Sequence, residues 1–219
     1  MAPTDDASKW PLIWIHCQQS WKSHHPDFEY VLWTDETLEE LVRTIYPNHY
    51  DVWKDYPAQI HRADFARALI LYNFGGIYAD MDYYCNKRFF ESLPIGVVAV
   101  AESPWVPIEM IQNALMISPS RHPYWHYVIV EMMARSVIGA VISGDHTLEM
   151  TGPKVFEDLE KIVPKNMFLP LPRAKYAPRY YVVNATKSHM SISFNSSFTN
   201  VTLDMINTIH IGTCTWCGS

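Results

Sequence analysis

Between residues 57 and 74 the apolar positions Ala66, Leu69, Ile70 and Phe74 recur every three or four residues. That is the repeat of one helix face, so the spacing predicts a helix over this stretch. Gly75-Gly76 predicts its end, because glycine supplies the left-handed backbone that a helix terminus favours. Ile77-Tyr78-Ala79 then reads as a short strand running into Asp80-Met81-Asp82. A helix is also predicted over Leu38, Leu41, Val42 and Ile45, capped by Thr34 or Asp35 and closed by Pro47. Apolar or alternating runs predict strands at residues 12–15, 28–33, 97–101 and 114–117, with shorter ones at 180–183 and 206–210. Pro123 opens a helix to about Ser136. Thr151-Gly152-Pro153 starts another at Lys154, with proline at the first turn, where its missing N–H costs nothing. Strands alternating with helices predict an α/β domain. No repeat, low-complexity segment or linker divides residues 1–219, so one domain is expected.

Bulk composition narrows the function. With 48% hydrophobic and 18% charged residues, the 219-residue chain is globular and large enough for a substantial core. Its net charge of −6 and lack of a Lys/Arg run argue against nucleic acid as a partner. The 8 Trp, 13 Tyr and 9 Phe suit a carbohydrate-facing cleft, although most aromatics in any chain fill the core. No apolar stretch reaches the roughly 20 residues that cross a bilayer. The acidic start lacks the zones of a signal peptide. The expectation is therefore a soluble protein, or one whose anchor lies outside this chain. Asn184-Ala185-Thr186, Asn195-Ser196-Ser197 and Asn200-Val201-Thr202 are glycosylation sequons and lean towards a secretory lumen. The four cysteines permit two disulfides without showing any. Cys214 and Cys217 form a C-x-x-C pair with no second pair to complete a zinc site.

The chemistry is densest between Ile60 and Asp82. If the backbone at Asp80 and Asp82 is extended, both carboxylates point to one side. Two hard oxygen donors at the carboxyl end of a strand suit Mg²⁺ or Mn²⁺, and open α/β sheets bind ligands at that end. Asp64 and Arg67, three apart, share a helix face. The glycine pair returns the chain tightly and can bring that face near Asp80 and Asp82. Alone, Asp-x-Asp is usually a solvated turn, and Asp64 with Arg67 a surface ion pair. Asp-x-x-Arg, seven residues, then Gly-Gly-x-Tyr-x-Asp-x-Asp is a far more specific string.

That string resembles the sugar-binding region of glycosyltransferase family 32, which includes yeast-type initiating α-1,6-mannosyltransferases and mannosyl inositol phosphorylceramide synthases. It is more distantly similar to the glucosylating domain of large clostridial toxins. Ser20-Trp21, residues 25–30 (HPDFEY), residues 32–36 (LWTDE), Asn113-Ala114, His122-Pro123 and Thr151-Gly152-Pro153 look like further family landmarks. The resemblance implies a GT-A type fold with a Rossmann-like mixed sheet flanked by helices, a nucleotide-sugar donor, Mn²⁺ (or Mg²⁺) and retention of anomeric configuration. By position it implies Asp80 and Asp82 as metal ligands and catalytic residues with Arg67. Asp64, Arg67, Tyr78, Asn113 and Gly152 would bind substrate. His210, followed by Trp216, fits the family's late metal- or diphosphate-binding histidine better than His189. The family's opening strand is not matched, since Pro11-Leu12-Ile13-Trp14-Ile15-His16 runs almost directly into Ser20-Trp21. The first nucleotide-binding strand is thus expected to be missing or rebuilt.

The function expected on this basis is transfer of a hexose, first mannose from GDP-mannose and otherwise from a UDP-sugar, to a glycan or glycolipid, in the Golgi or another secretory lumen if the source is eukaryotic and in the cytoplasm otherwise. The alternatives are an inactive relative that only binds nucleotide-sugar or glycan, an aspartyl-phosphate phosphohydrolase using Asp80, and a non-catalytic sugar-binding module.

Overall fold

The computed structural model describes residue 2 and residues 4–104, 110–139, 146–179, 181–194 and 202–212. In chain order the elements are α1 (Leu12–His24), α2 (Asp35–Ile45), α3 (Pro47–Lys54), α4 (Gln59–Phe74), β1 (Gly76–Ala79), β2 (Tyr83–Cys85), β3 (Val98–Glu102), β4 (Ile111–Ser118), α5 (Tyr124–Gly139), α6 (His146–Met150), α7 (Pro153–Ile162), β5 (Phe168–Leu171), α8 (Arg173–Tyr176), β6 (Tyr181–Ala185), β7 (Met190–Phe194) and β8 (Thr208–His210). The main sheet has the order β1-β4-β3-β5. It is mixed: β4 runs antiparallel to both β1 and β3, while β5 runs parallel to β3. Two small sheets, β2-β8 and β6-β7, accompany it.

The period-two alternation of strand side chains divides the core. Val98, Val100 and Met116 pack with α2, α3, α4, α5 and α7 in the larger cluster, around Phe65, Leu69, Trp125 and Phe156. Ala99, Ala101, Leu115 and Ile117 face the other way, onto Trp21 of α1, Tyr83 and Cys85 of β2, and Tyr176 of α8. Helices therefore flank a mixed sheet on both faces, which is the expected α/β class.

Two expected strands take other forms. Residues 12–15 begin α1, whose buried positions Trp14, Cys17 and Trp21 are spaced three and four apart. A four-residue apolar burst is ambiguous in isolation, and here the helical spacing of the residues after it decides. Residues 28–33 carry no regular ladder and end in a single bridge from Ala2 to Thr34. They form one wall of a cleft of about 490 Å³, with Trp21 behind it and Ile77 to Asp80 opposite. The N–H of Asp80 donates to the Ala114 carbonyl, which makes the even-numbered residues of β1 the ones bonded to β4. Ile77 and Ala79 consequently turn their amide and carbonyl groups towards the cleft. The predicted cap of α2 is present as a reciprocal box between Thr34 and Thr37, and Pro47 both closes α2 and opens α3.

The link from α4 to β1 depends on Gly75, whose φ of 68° and ψ of −153° lie in a region essentially confined to glycine. A Cβ there would sit 2.5 Å from the Ser120 nitrogen and 2.8 Å from the Ser118 oxygen, both backbone atoms at the end of β4. Gly75→Ala is therefore expected to cost about 2–4 kcal/mol, a fall of roughly 5–15 °C in Tm. Thermal unfolding followed by circular dichroism checks it; an unchanged midpoint would show that the turn relaxes freely.

Candidate active site

Arg67 is the centre of the site. It lies on the buried side of α4, 3% exposed, as does Asp64 one turn earlier. Its Nη2 is 3.0 Å from Asp64 Oδ1, and its Nη1 donates to the Asn113 carbonyl at 2.6 Å and stands 3.5 Å from Asp80 Oδ1. The guanidinium carbon sits 4.8 Å above the Tyr78 ring. The Tyr78 hydroxyl donates to Asp80 Oδ1 at 2.7 Å. Behind this, Asn113 Nδ2 donates to Asp64 Oδ1 at 2.8 Å and Thr151 Oγ1 to Asp64 Oδ2 at 3.1 Å. Asp64, Arg67, Tyr78, Asp80 and Asn113 thus form one connected network, with Asp64 as its buried anchor and Asp80 as its more exposed end.

Asp80 and Asp82 do converge, although not along an extended strand. β1 ends at Ala79, and the Tyr83 N–H donates to the Asp80 carbonyl at 3.0 Å, closing a tight turn over Met81 and Asp82. β8 then pairs with β2, placing His210 opposite Tyr83. The Ile211 N–H donates to the Asp82 carbonyl at 2.9 Å. One ligand atom each from Asp80, Asp82 and His210 lies within 4.8 Å of the others, and His210 Nε2 is 3.6 Å from Asp82 Oδ1. Ser20 and Trp21 buttress this end: Ser20 Oγ accepts the Cys85 N–H at 2.9 Å, and Trp21 Nε1 donates to the Tyr83 carbonyl at 2.7 Å.

The remaining sequence candidates sit apart from this cluster or support it. Gly152 precedes α7, its N–H bonded to the Thr147 carbonyl. A Cβ there would meet that oxygen at 2.7 Å, so its tight packing holds Thr151 in place. His189 is exposed, and its carbonyl accepts from Thr186 in the β6-β7 turn. Cys17 and Cys85 are buried free thiols. Trp216, Cys214, Cys217, Asn195, Asn200 and Tyr180 lie outside the described residues. Sequence reasoning did not single out Thr151 by itself or Tyr83. The Thr-Gly-Pro landmark contained the first, whereas nothing local marks the second.

Electrostatically, the Arg67 guanidinium stands beside the carboxylates of Asp64 and Asp80, and the charge of Asp82 also reaches it. Burial pushes the Asp64 carboxyl up to about 6, Arg67 opposing the rise and Asp80 adding to it. Arg67 is itself held charged by the carboxylates around it, against the desolvation of its buried position. Because the folded chain holds the Asp64 proton to higher pH than the unfolded chain does, stability from this group falls as pH rises between about 4 and 6. In metal-free buffer the difference in unfolding free energy between wild type and Asp64→Asn should therefore change by about 2–3 kcal/mol across that window and level off above it. Urea unfolding at a series of pH values measures it. Parallel curves for the two proteins would refute the assignment.

Residues 11–99 match the family model described as "Glycosyltransferase sugar-binding region containing DXD motif". Inositol phosphoceramide mannosyltransferase 3 of Schizosaccharomyces pombe is 39% identical over 119 residues, covering 54% of this chain and 32% of that protein. A mannosyl phosphorylinositol ceramide synthase of Saccharomyces cerevisiae is 35% identical over 119 residues, 54% of this chain and 31% of its own length. The initiation-specific alpha-1,6-mannosyltransferase of Candida albicans is 26% identical over 188 residues, 70% of this chain and 48% of that protein. The chain thus spans about a third to a half of these relatives. A solved structure, the PaToxG glycosyltransferase, aligns with a TM-score of 0.47 at 16% identity, covering 75% of this chain and 67% of that one. The resemblance to family 32 drawn from the sequence is borne out as a similarity over residues 11–99, a stretch that contains Asp80-Met81-Asp82.

Proposed function

We propose, from the match of residues 11–99 to that sugar-binding region, that residues 1–219 act as one metal-dependent, retaining glycosyltransferase domain of GT-A type. It would move mannose from GDP-mannose to a glycan or glycolipid acceptor in a secretory-pathway lumen, with UDP-hexoses as the next donors to consider. The observation that carries the reading is the convergence of Asp80, Asp82 and His210, with Asp80 also lining the cleft and the buried Arg67 3.5 Å from it. Two carboxylates and an imidazole form a donor set that suits Mn²⁺ and admits Mg²⁺. Once bound there, such an ion supplies charge neutralisation for a departing diphosphate.

The chain's own residues do the rest. Asp80 and Asp82 would hold that ion together with His210, and would orient the diphosphate end of the donor. Tyr78 holds the Asp80 carboxylate with its hydroxyl. Arg67 keeps a fixed positive charge next to Asp80 without needing to reorganise, the condition under which electrostatic stabilisation contributes most. Asp64, Asn113 and Thr151 fix the guanidinium from behind. The relatives are named for mannosylation of inositol phosphoceramide and for α-1,6-mannosylation, which supports mannose as the sugar and a lipid or glycan as acceptor. Asn184 of the first sequon is exposed on β6, in keeping with a lumenal location. No described helix is long and apolar enough to cross a membrane.

The test is a panel of nucleotide-sugars offered to the purified chain with Mn²⁺, scored by sugar released to water. GDP-mannose should be consumed fastest, and a chelator should stop the reaction. If no nucleotide-sugar is turned over, with or without acceptor, the reading is wrong.

A further inference from the structure

β2 and β8 are three residues each, and their register sets Tyr83 directly across from His210. The two rings are parallel to within 10°, with centroids 4.9 Å apart, an offset stack of the kind aromatic rings favour. Tyr83 is clamped on every side. Its side chain is fully buried. Its hydroxyl donates to the Tyr176 carbonyl at 2.9 Å and accepts from Gln112 Nε2 at 3.0 Å. Its carbonyl accepts from Trp21, and its N–H donates to the Asp80 carbonyl. The ring is thereby fixed relative to both acidic residues of the turn. His210, by contrast, ends a three-residue strand. An imidazole in that position has two side-chain torsions to settle, and a flat, immobile neighbour removes much of that freedom.

We propose that Tyr83 is the positioning residue of the cation site, its ring holding the imidazole plane so that His210 Nε2 stays directed at Asp82, 3.6 Å away. This rests on the reading of Asp80, Asp82 and His210 as ligands of a divalent cation, and it names the group that prepares the third ligand. The Tyr83 hydroxyl is taken up by Tyr176 and Gln112, so Tyr83 is no ligand itself. It acts through His210 alone.

The experiment is a Mn²⁺ titration of the purified chain, with free Mn²⁺ followed by electron paramagnetic resonance and folding checked by circular dichroism. Tyr83→Leu should weaken Mn²⁺ binding by about 10–100-fold, the usual cost of losing a residue that orients a ligand. Tyr83→Phe keeps the ring and should bind within about threefold of wild type. In a His210→Asn background, Tyr83→Leu should cost no further affinity, since the ring it positions is gone. Equal Mn²⁺ binding by wild type and Tyr83→Leu overturns the proposal and leaves the cation site standing. So does an undiminished loss in the His210→Asn background. Should the leucine variant not fold, the phenylalanine variant decides, and a loss of about tenfold there overturns the role of the ring. A wild-type chain that binds no Mn²⁺ overturns the site itself, and the inference with it.

Discussion

Asp82→Asn should reduce metal-dependent release of sugar from the nucleotide-sugar by at least about 10²–10³-fold at saturating donor. Asparagine preserves the shape of the side chain, with one acceptor oxygen replaced by an NH2 donor, and the turn between Asp80 and Tyr83 is closed by a backbone bond that the change leaves in place. What disappears is the charge. Asp82 is 9% exposed, so little solvent is available to compensate, and its carboxylate shares a 4.8 Å cluster with one oxygen of Asp80 and one nitrogen of His210. Asp80 is partly neutralised by Arg67 at 3.5 Å, so a cation held between the two acidic residues would depend strongly on the charge of Asp82. Initial rates at several Mn²⁺ concentrations separate weakened metal binding from a lost catalytic contribution. A variant whose rate stays within about threefold of wild type at every Mn²⁺ concentration would remove Asp82 from the mechanism.

The second large effect concerns folding as much as chemistry. Arg67→Met leaves the carboxylate of Asp64, which is 3% exposed, without its cation, and the Asn113 carbonyl loses a 2.6 Å donor. Removing one partner of a buried charge pair typically costs about 3–5 kcal/mol, a large share of the stability of a domain this size. Arg67→Lys retains a charge but lacks the planar fork that reaches Asp64, Asn113 and Asp80 together and lies over Tyr78. It should fall between wild type and the methionine variant, losing about 2–3 kcal/mol. Urea unfolding orders the three proteins. If Arg67→Met unfolds at the wild-type midpoint, the buried network has no structural weight and the site has been misread.

Local signals and non-local ones were not equally legible in the sequence. The repeat through Ala66, Leu69, Ile70 and Phe74 and the glycines after it locate α4 and its end, because both are properties of adjacent residues. The cap at Thr34 is local in the same way. The burst at residues 12–15 misleads because four apolar residues suit a strand and a helix equally well. Residues 28–33 mislead for a different reason: alternation prescribes an extended backbone, but a strand also needs a partner, and none of the described residues pairs with them in a ladder. In the site, Asp64, Arg67, Asp80 and Asp82 follow from one contiguous string. The convergence of the two acidic residues was anticipated by the wrong route, with a tight turn in place of an extended run. Thr151 and Tyr83 depend on contacts across 87 residues of chain and on the β2-β8 register. Spacing along the sequence contains no trace of either.

The outer rim of β1, which no strand among the described residues pairs, has a consequence outside catalysis. The amides and carbonyls of Ile77 and Ala79 are a template onto which a foreign extended chain can lie down, the initial step of fibril growth. Shortness is the safeguard here, since the rim is four residues long and residues 28–33 stand across from it as a fence. Solubility engineering would therefore begin at the stretch bordering the cleft and leave the interior alone.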